Sequence, residues 1–374
     1  MKSTRLHHFS TFTSLLLAVM SVCSMVNAEP IDLYEYHSLV ATQTRPERNQ
    51  ATADGLAEIM IRASGQAGVL KNAGVKSALR NPSRYLLEYR YLSTDKTIEV
   101  DNKTVPAYQL ILKFSDSSIE KLLRDQQLPI WPANRPSVMV WLVVDEGKTK
   151  RIISEQYLPE GIEAIEASGA QRGLPVITPQ GDLDDLVVTS AKNIWRLDER
   201  SIRRASERYD PDSILVGRLT KTSQSRWRGS WLLINEARSK TFDGTGSDLS
   251  SVIAEGIGDS ADYFFQLYGY EPTGGDLKSY LFSIDGISDF GGYANAMKYL
   301  ESIAVVRGVD VVAVNNENIL LRVATEVNLN ALEQAIALDG RLDKGYQQSM
   351  SLNGSTLTHG VGLESNPSSY IWRN

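Results

Sequence analysis

Alternation of apolar and polar residues predicts strands in the first third of the chain, and a helical repeat separates two of them. Along 108–114, apolar residues recur at every second position from Tyr108 to Phe114. Thr44 and Glu47 have the spacing of a capping box. The predicted elements are, in order, a strand over 34–44, a helix over 45–65, strands over 84–92 and 108–114, and a helix over 116–126. We therefore predict an N-terminal α+β domain over 29–127 with the order βαββα.

A fully apolar run marks the middle of the chain, after a proline-rich linker at 128–136. Seven consecutive apolar residues, Val138 to Val144, are typical of a strand that is buried on both faces. The pattern beyond them predicts helices near 161–173, 198–209 and 248–268, and strands near 174–179, 212–220, 227–236 and 238–244. We predict a middle α/β domain over 137–270, with a mixed sheet and helices on one or both faces.

A second linker at 271–276 precedes another strand, helix, strand, strand, helix pattern. With a closing strand near 340–346, this order predicts a C-terminal ferredoxin-like α+β domain over 277–346. Residues 347–374 are rich in Ser, Asn and Gly, so we expect a loosely ordered polar tail. Its aromatic end, around Tyr370 and Trp372, leaves two alternatives open: docking onto the body of the protein or fraying.

The first 28 residues have the order of a secretory signal. Basic residues come first, an apolar run from Phe12 to Val22 follows, and small residues surround Ala28. Cys23, the single cysteine of the chain, raises the alternative of a lipid anchor. Val22 and Met20 fit the lipoprotein pattern poorly, so we expect cleavage after Ala28, loss of Cys23 with the signal, and an exported, periplasmic protein.

Charge and length limit the partners and the kind of protein that the sequence can represent. The chain has 45 acidic and 39 basic residues, a formal net charge of −6, which disfavours nucleic acid and anionic membrane surfaces as partners. Beyond the signal, no apolar segment is long enough to span a bilayer. Its 374 residues suffice for several hydrophobic cores without disulfides.

Catalytic constellations are missing from the sequence. The motif G-x-S-x-G does not occur. Only His37 and His359 follow the signal, so a serine, histidine and aspartate triad would have to use one of these two histidines. Ser118 and Lys121 fit S-x-x-K, but the companion motifs are absent and a helix cap explains the serines better. We expect a protein that is not an enzyme and has no cofactor.

Acidic residues follow two of the strands predicted for the middle sheet. If those strands are parallel neighbours, the carboxylates meet at the carboxyl edge, where α/β sheets bind ligands, and oxygen ligands suit Ca²⁺ or Mg²⁺. The alternative is that they are solvated loop charges and acids in the first turn of a helix. The candidate ligand-binding residues are Asp145, Glu146, Asp182, Asp184 and Asp185.

Trp227 and Trp231 are four positions apart on one predicted strand, so they share a face. We regard them as a candidate partner-binding patch, whose exposure the sequence does not determine.

Four stretches together resemble a bacterial envelope family called domain of unknown function 2066. They are "RNQATADGLAEIMIRASG", "LPIWPANRPSVMVWLVVDE", "RGLPVITPQGDLDD" and "GISDFGGYANAMKYLESIAVVRGVDV". The resemblance implies export in Gram-negative bacteria and no established activity, so it carries over no catalytic residues.

Two functions follow from these observations. The first is a periplasmic adaptor or assembly factor that binds other envelope proteins. The alternative is a module that binds a ligand or a divalent cation at the acidic edge of the middle sheet.

Overall fold

Three β-sheets organise the part of the chain that the structure describes. The structure is a computed structural model and describes residues 32–222, 226–235, 238–272, 277–303, 305–315, 318–337, 340–345 and 367–373. The predicted signal, with Cys23 and Ala28, lies outside the described residues, as do His359 and most of the predicted tail.

The mixed α/β, multi-domain class is confirmed, since helices accompany sheets of three, six and five strands. None of the helices in the described ranges has the length and apolar character that crossing a bilayer requires.

The N-terminal unit follows the predicted βαββα order with one addition. Its elements are β1 (Glu35–Val40), α1 (Arg45–Ser64), α2 (Ala73–Arg80), β2 (Leu86–Val100), β3 (Lys103–Phe114) and α3 (Asp116–Asp125). The strands form an antiparallel sheet in the order β1-β3-β2. The added helix, α2, lies with two 3₁₀ turns, Ala67–Lys71 and Pro82–Arg84, between α1 and β2.

The predicted capping box at the start of α1 is wrong. Thr44 occupies the N-cap position, but its side chain makes no capping hydrogen bond. The Glu47 carboxylate instead accepts hydrogen bonds from the backbone N–H groups of Ala41, at 2.6 Å, and Thr42, at 2.8 Å. Glu47 therefore fixes the loop that leads from β1 into α1.

The middle unit is built on the apolar strand. Its elements are β4 (Val138–Asp145), β5 (Lys150–Ile152), α4 (Pro159–Arg172), β6 (Val176–Ile177), α5 (Leu183–Val188), α6 (Ala191–Trp195), α7 (Glu199–Ser206), β7 (Ser213–Lys221), β8 (Trp227–Asn235), β9 (Arg238–Gly246) and α8 (Leu249–Tyr268). The sheet order is β5-β4-β7-β8-β9, with β6 also paired to β4.

Both faces of this sheet are covered, which explains the seven apolar residues of β4. Val140 and Leu142 share one core with residues of α4 and α8. Met139 and Trp141 share the other with residues of α6 and α7. A strand between two cores needs apolar side chains at successive positions.

The C-terminal unit departs from the predicted ferredoxin-like plan at one strand. Its elements are β10 (Lys278–Asp285), α9 (Phe290–Ser302), β11 (Val306–Asn315), β12 (Asn318–Thr325), α10 (Leu329–Ala337), β13 (Leu342–Lys344) and β14 (Ser368–Trp372). The sheet order is β11-β12-β10-β14-β13. A strand from the tail thus lies where the closing strand next to β10 was predicted.

The expectation of a loosely ordered tail is therefore wrong for residues 368–372. β14 runs parallel to β10 and antiparallel to β13. Tyr370 and Trp372 are buried in the core cluster that the C-terminal unit shares with α1 and β3. Of the two alternatives for the aromatic end of the tail, the structure shows docking.

The first predicted linker forms a joint with the residue that precedes the second linker. Ile130 and Tyr270 exchange backbone hydrogen bonds of 2.8 and 3.0 Å and form a short β-bridge. Buried Arg135 donates from its three guanidinium nitrogens to five backbone carbonyls, those of Arg62, Trp131, Pro132, Arg172 and Gly173. Arg135 thereby ties the ends of α1 and α4 to the linker.

Candidate functional site

The parallel pairing predicted for the middle sheet is present, but β6 and β4 do not end at the same level. β4 pairs with β6 and with β7 in parallel. Asp145 is the last residue of β4, and Glu146 follows it. β6 ends opposite Met139, six positions before Asp145, and the acidic stretch from Asp182 begins five positions beyond β6. Within the part of the chain that the structure describes, however, no group of three or more His, Cys, Asp or Glu side chains is placed to hold a metal ion.

Asp145 and Glu146 belong to the hairpin between β4 and β5. Asp145 accepts hydrogen bonds from Lys150 Nζ at 3.0 Å and from the Gly147 N–H at 2.8 Å, and the contact with Lys150 lowers its pKa. The Tyr157 hydroxyl donates to Glu146 at 2.7 Å and lowers the pKa of that carboxyl. Burial, reinforced by Glu146, raises the pKa of Tyr157 to about 12. Both carboxylates therefore stabilise the hairpin.

Asp182 and Asp185 share a second cationic partner, Arg208. Asp182 caps α5 by accepting from the Asp185 N–H, and it accepts from Arg208 Nη1 at 2.8 Å and Nη2 at 3.0 Å. Asp185 accepts from Arg208 at 3.2 Å, from the Tyr209 hydroxyl at 2.8 and 3.0 Å, and from the Gly181 N–H at 2.9 Å. The side chain of Asp184 is exposed and has no hydrogen bond or ion pair within the described residues.

Helix α5 buries a charged side chain and exposes its apolar ones, which is the opposite of the usual arrangement on a surface helix. Asp185, 1% exposed, is the one buried residue of α5 and anchors it to the body of the protein. The apolar residues face solvent, with Leu183 74% and Val187 76% exposed. Leu186 and Val188 are exposed as well. We call these four side chains, Leu183, Leu186, Val187 and Val188, the α5 surface.

A cleft of about 360 Å³ lies beside the α5 surface. Its walls include Trp141, Ile152 and Leu186, and Lys150 and Arg151 also line it. Thr189 lines it too, and its buried hydroxyl makes no hydrogen bond with any described residue. The cleft therefore combines apolar walls with cations and one unused hydroxyl.

The sequence predicted the parallel pairing of the two strands, but it showed neither that β6 ends opposite Met139 nor which residues contact the carboxylates. Lys150, Tyr157 and Arg208 satisfy four of them. Arg208 lies 23 positions beyond Asp185, a pairing that no local pattern indicates. A role of these carboxylates in ligand binding stays a prediction. The sequence did contain the signal for the α5 surface, since "LDDLVV" places leucine and valine next to aspartates.

The candidate patch of Trp227 and Trp231 requires a correction. The two residues share a strand face, but that face packs against α8. Trp231 is 2% exposed and stacks on Phe242 at 6.4 Å, and its ring fills the space over Gly256 of α8. Trp227 is half-buried against the same core. An exposed aromatic pair is therefore not available here.

Comparison with known proteins finds one similarity. Residues 28–132 match the family described as Domain of unknown function (DUF8605), and the match covers the N-terminal unit and most of the first linker. This finding overturns the resemblance to domain of unknown function 2066, a different family. No curated protein and no solved structure matches the chain.

Proposed function

We propose that this protein is a non-enzymatic adaptor of the cell envelope, which binds another envelope protein in the periplasm. The α5 surface carries the proposal. Contiguous apolar side chains that face solvent on a folded protein are typical of surfaces that bind other proteins. The signal-like order of residues 1–28 supports the location.

The anchoring of α5 suits this role. Hydrogen bonds from Tyr209, Arg208 and Gly181 to Asp185 fix the helix before any partner arrives. A fixed helix loses little conformational entropy on binding, so more of the energy of apolar burial remains for affinity. Burying one leucine side chain contributes about 1.5–3 kcal/mol.

The alternative is a module that binds a ligand or a divalent cation. Fewer observations support this alternative. A cation bound by these carboxylates has to displace Lys150 from Asp145, or Arg208 from Asp182 and Asp185. A thermal scan with and without Ca²⁺ or Mg²⁺ separates the two, since a ligand that binds the folded state raises the Tm. We expect no shift. A shift that disappears on replacing all five carboxylates by their amides supports the alternative.

The adaptor proposal is tested by photo-cross-linking in cells. A photoreactive amino acid at position 187 should give a discrete adduct with one envelope protein. The same amino acid at position 87 serves as the control, because Leu87 is an equally accessible apolar residue (67% exposed) on β2 of the N-terminal unit. Adducts that are equal at both positions, or absent at position 187, contradict the proposal.

A double variant tests whether the apolar side chains of the α5 surface contribute to binding the cross-linked partner. Leu183→Lys combined with Val187→Lys should weaken the isolated complex by about tenfold or more, since each apolar side chain that no longer packs on the partner is worth on the order of 1 kcal/mol. The Tm should stay unchanged because both side chains are exposed in the free protein. Leu87→Lys is the matched control. Unchanged affinity of the double variant refutes the role of the α5 surface.

The proposed location has its own test. Mass spectrometry of the protein from the envelope fraction should give Glu29 as the first residue, as expected for cleavage after Ala28. A chain that starts with a lipid-modified Cys23, or one that keeps its first 28 residues, contradicts this assignment.

A further inference from the structure

A second candidate site lies in the N-terminal unit, where the charge of the chain is locally reversed. Residues 67–84 contain Lys71, Lys76, Arg80 and Arg84 and no carboxylate, although the whole chain carries a net charge of −6. This segment is α2 with its two flanking 3₁₀ turns, the addition that the sequence pattern did not predict.

The packing of α2 determines which way these cations face. Asn72 caps the helix by accepting from the N–H groups of Gly74, at 2.7 Å, and Val75, at 3.2 Å. Val75 and Ala78 are buried in the core that includes α1. Lys76 and Arg80 consequently lie on the outer side of the helix and are exposed.

A groove of about 430 Å³ separates the start of α1 from the end of α2. We call it the α1–α2 groove. Pro46, Asn49 and Gln50 line it on the side of α1. Arg80, Asn81, Pro82, Ser83 and Arg84 are among the residues that line it on the other side. No carboxylate is among its lining residues within the described chain.

Most of the polar side chains in the α1–α2 groove have no partner among the described residues, although Gln50 donates to Asp54 at 3.0 Å. Arg80 and Arg84 make no ion pair or side-chain hydrogen bond with any described residue, in contrast to Arg62 and Arg208, which pair with carboxylates. The side chains of Asn49 and Asn81 are equally uncommitted in the described structure. Their hydrogen-bonding capacity is thus available to a ligand.

The chemistry of these groups specifies a class of ligand. A guanidinium binds a phosphate group through two parallel hydrogen bonds. Amide and hydroxyl side chains donate to and accept from sugar hydroxyls. With two guanidinium groups beside several neutral hydrogen-bonding groups, the groove matches a ligand that has one anionic group and many hydroxyls better than a polyanion. Its volume falls in the range of small-molecule sites.

We infer that the α1–α2 groove binds a phosphorylated saccharide, with Arg80 and Arg84 on the phosphate and Asn49 and Asn81 on the hydroxyls. The ligand is either free in solution or the headgroup of a lipid. This site lies in a different unit from the α5 surface, so either proposal can fail while the other holds.

Calorimetric titration of the purified protein with glucose 1-phosphate tests the inference, with glucose and inorganic phosphate as the reference probes. We expect glucose 1-phosphate to bind more tightly than either. Arg80→Gln combined with Arg84→Gln should weaken its binding by about tenfold or more, because charge-assisted hydrogen bonds are lost. No binding, or phosphate binding as tightly as the sugar phosphate, overturns the inference.

A matched control separates a built site from general electrostatics. Arg200 and Arg204 are also exposed, also four positions apart, and lie on α7 of the middle unit. Arg200→Gln combined with Arg204→Gln removes the same charge and should leave binding unchanged. An equal loss in both double variants overturns the inference.

Vesicles distinguish the two sources of the ligand. Phosphatidylcholine vesicles that contain phosphatidylinositol 4-phosphate present a phosphorylated, hydroxyl-rich ring on a lipid. Binding to them that needs Arg80 and Arg84 indicates a lipid headgroup, and binding of glucose 1-phosphate alone indicates a soluble ligand. Equal binding to phosphatidylglycerol vesicles, or displacement of glucose 1-phosphate by a short polyglutamate peptide, overturns the inference.

Discussion

At the scale of single residues, neighbouring aspartates on α5 have opposite roles. Asp185 is buried and accepts from Tyr209, Arg208 and Gly181, whereas Asp184, one position earlier, faces solvent. A buried carboxylate is tolerated only where donors replace its water, and these three groups do so. The same three donors become costly when the carboxylate is removed.

Asp185→Ala should therefore lower the free energy of unfolding by about 2–4 kcal/mol, because it leaves buried donors without an acceptor. Asp184→Ala is the matched control and should change it by less than about 0.5 kcal/mol. Urea unfolding of the two variants and the wild type measures both values. Equal stability of the two variants contradicts the anchoring role of Asp185.

Asp182 should make the stability of the protein dependent on pH. Its hydrogen bonds from Arg208 lower its pKa in the folded state. A carboxyl whose pKa is lower in the folded than in the unfolded state stabilises the fold above the unfolded value of about 3.9, and this contribution disappears as the pH falls through the folded value. Asp182→Asn should consequently lose less stability than the wild type on acidification below about pH 4.

Thermal unfolding of both proteins between neutral and acidic pH measures that difference. Asp95→Asn removes the same charge from an exposed side chain on β2 that makes no ion pair within the described residues. Its acid dependence should follow that of the wild type. If Asp182→Asn does so as well, the pairing with Arg208 does not contribute to acid sensitivity.

At the scale of elements, the contact between α8 and β8 depends on a glycine. A Cβ atom at position 256 would lie 2.3 Å from ring atoms of Trp231, which is enclosed and cannot move away. A Cβ atom at position 258 on the same helix would meet only Arg172 Nη1, at 3.3 Å. The two glycines of "GIG" therefore have different functions in the fold.

Gly256→Ala should lower the free energy of unfolding by about 1–3 kcal/mol, since the methyl group forces the helix away from the sheet. Gly258→Ala should leave it unchanged or raise it by up to about 1 kcal/mol through helix propensity. Denaturant titration of the pair provides the comparison. If Gly258→Ala lowers the free energy of unfolding and Gly256→Ala does not, this assignment is wrong.

Elements that obey a local rule could be predicted from the sequence. The run from Val138 to Val144 has one physical explanation, burial on both faces, and β4 is found there. α5 was foreseen only through the alternative that the aspartates lie in the first turn of a helix. Its buried anchor was not foreseen, because the partners of Asp185 are distant in sequence. α2 has only eight residues, with Gly74 in its first turn, and β14 depends on pairing with strands far back in the chain. Local periodicity carries no information on such contacts.

At the scale of the whole molecule, the joint around Arg135 connects the units. All five N–H groups of the guanidinium donate to backbone carbonyls. Two of these carbonyls belong to Arg62, in the last turn of α1, and Arg172, the last residue of α4, where the helix dipoles favour a cation. The guanidinium also lies 3.9 Å from the centre of the Trp131 ring. A single side chain thus satisfies backbone groups from two units and a linker.

Arg135→Met keeps the apolar length of the side chain but leaves those carbonyls without donors. We expect the free energy of unfolding to fall by about 3–5 kcal/mol. The backbone N–H groups of Ile130 and Trp131, which donate to Tyr270 and Ala63, should exchange with solvent deuterium faster as the joint opens. Arg200→Met, on the exposed side of α7, should leave both properties unchanged. Wild-type stability of Arg135→Met refutes the role of the joint.

The position of β14 has a consequence for the order in which the protein is made. β14 separates β10 from β13, yet it is synthesised after both of them. Until residues 368–372 are free to pair, β10 has no partner on that edge and the aromatic side chains that complete the core are absent. The C-terminal unit therefore cannot reach its final structure during translation of the preceding 367 residues, and its completion waits for the last strand.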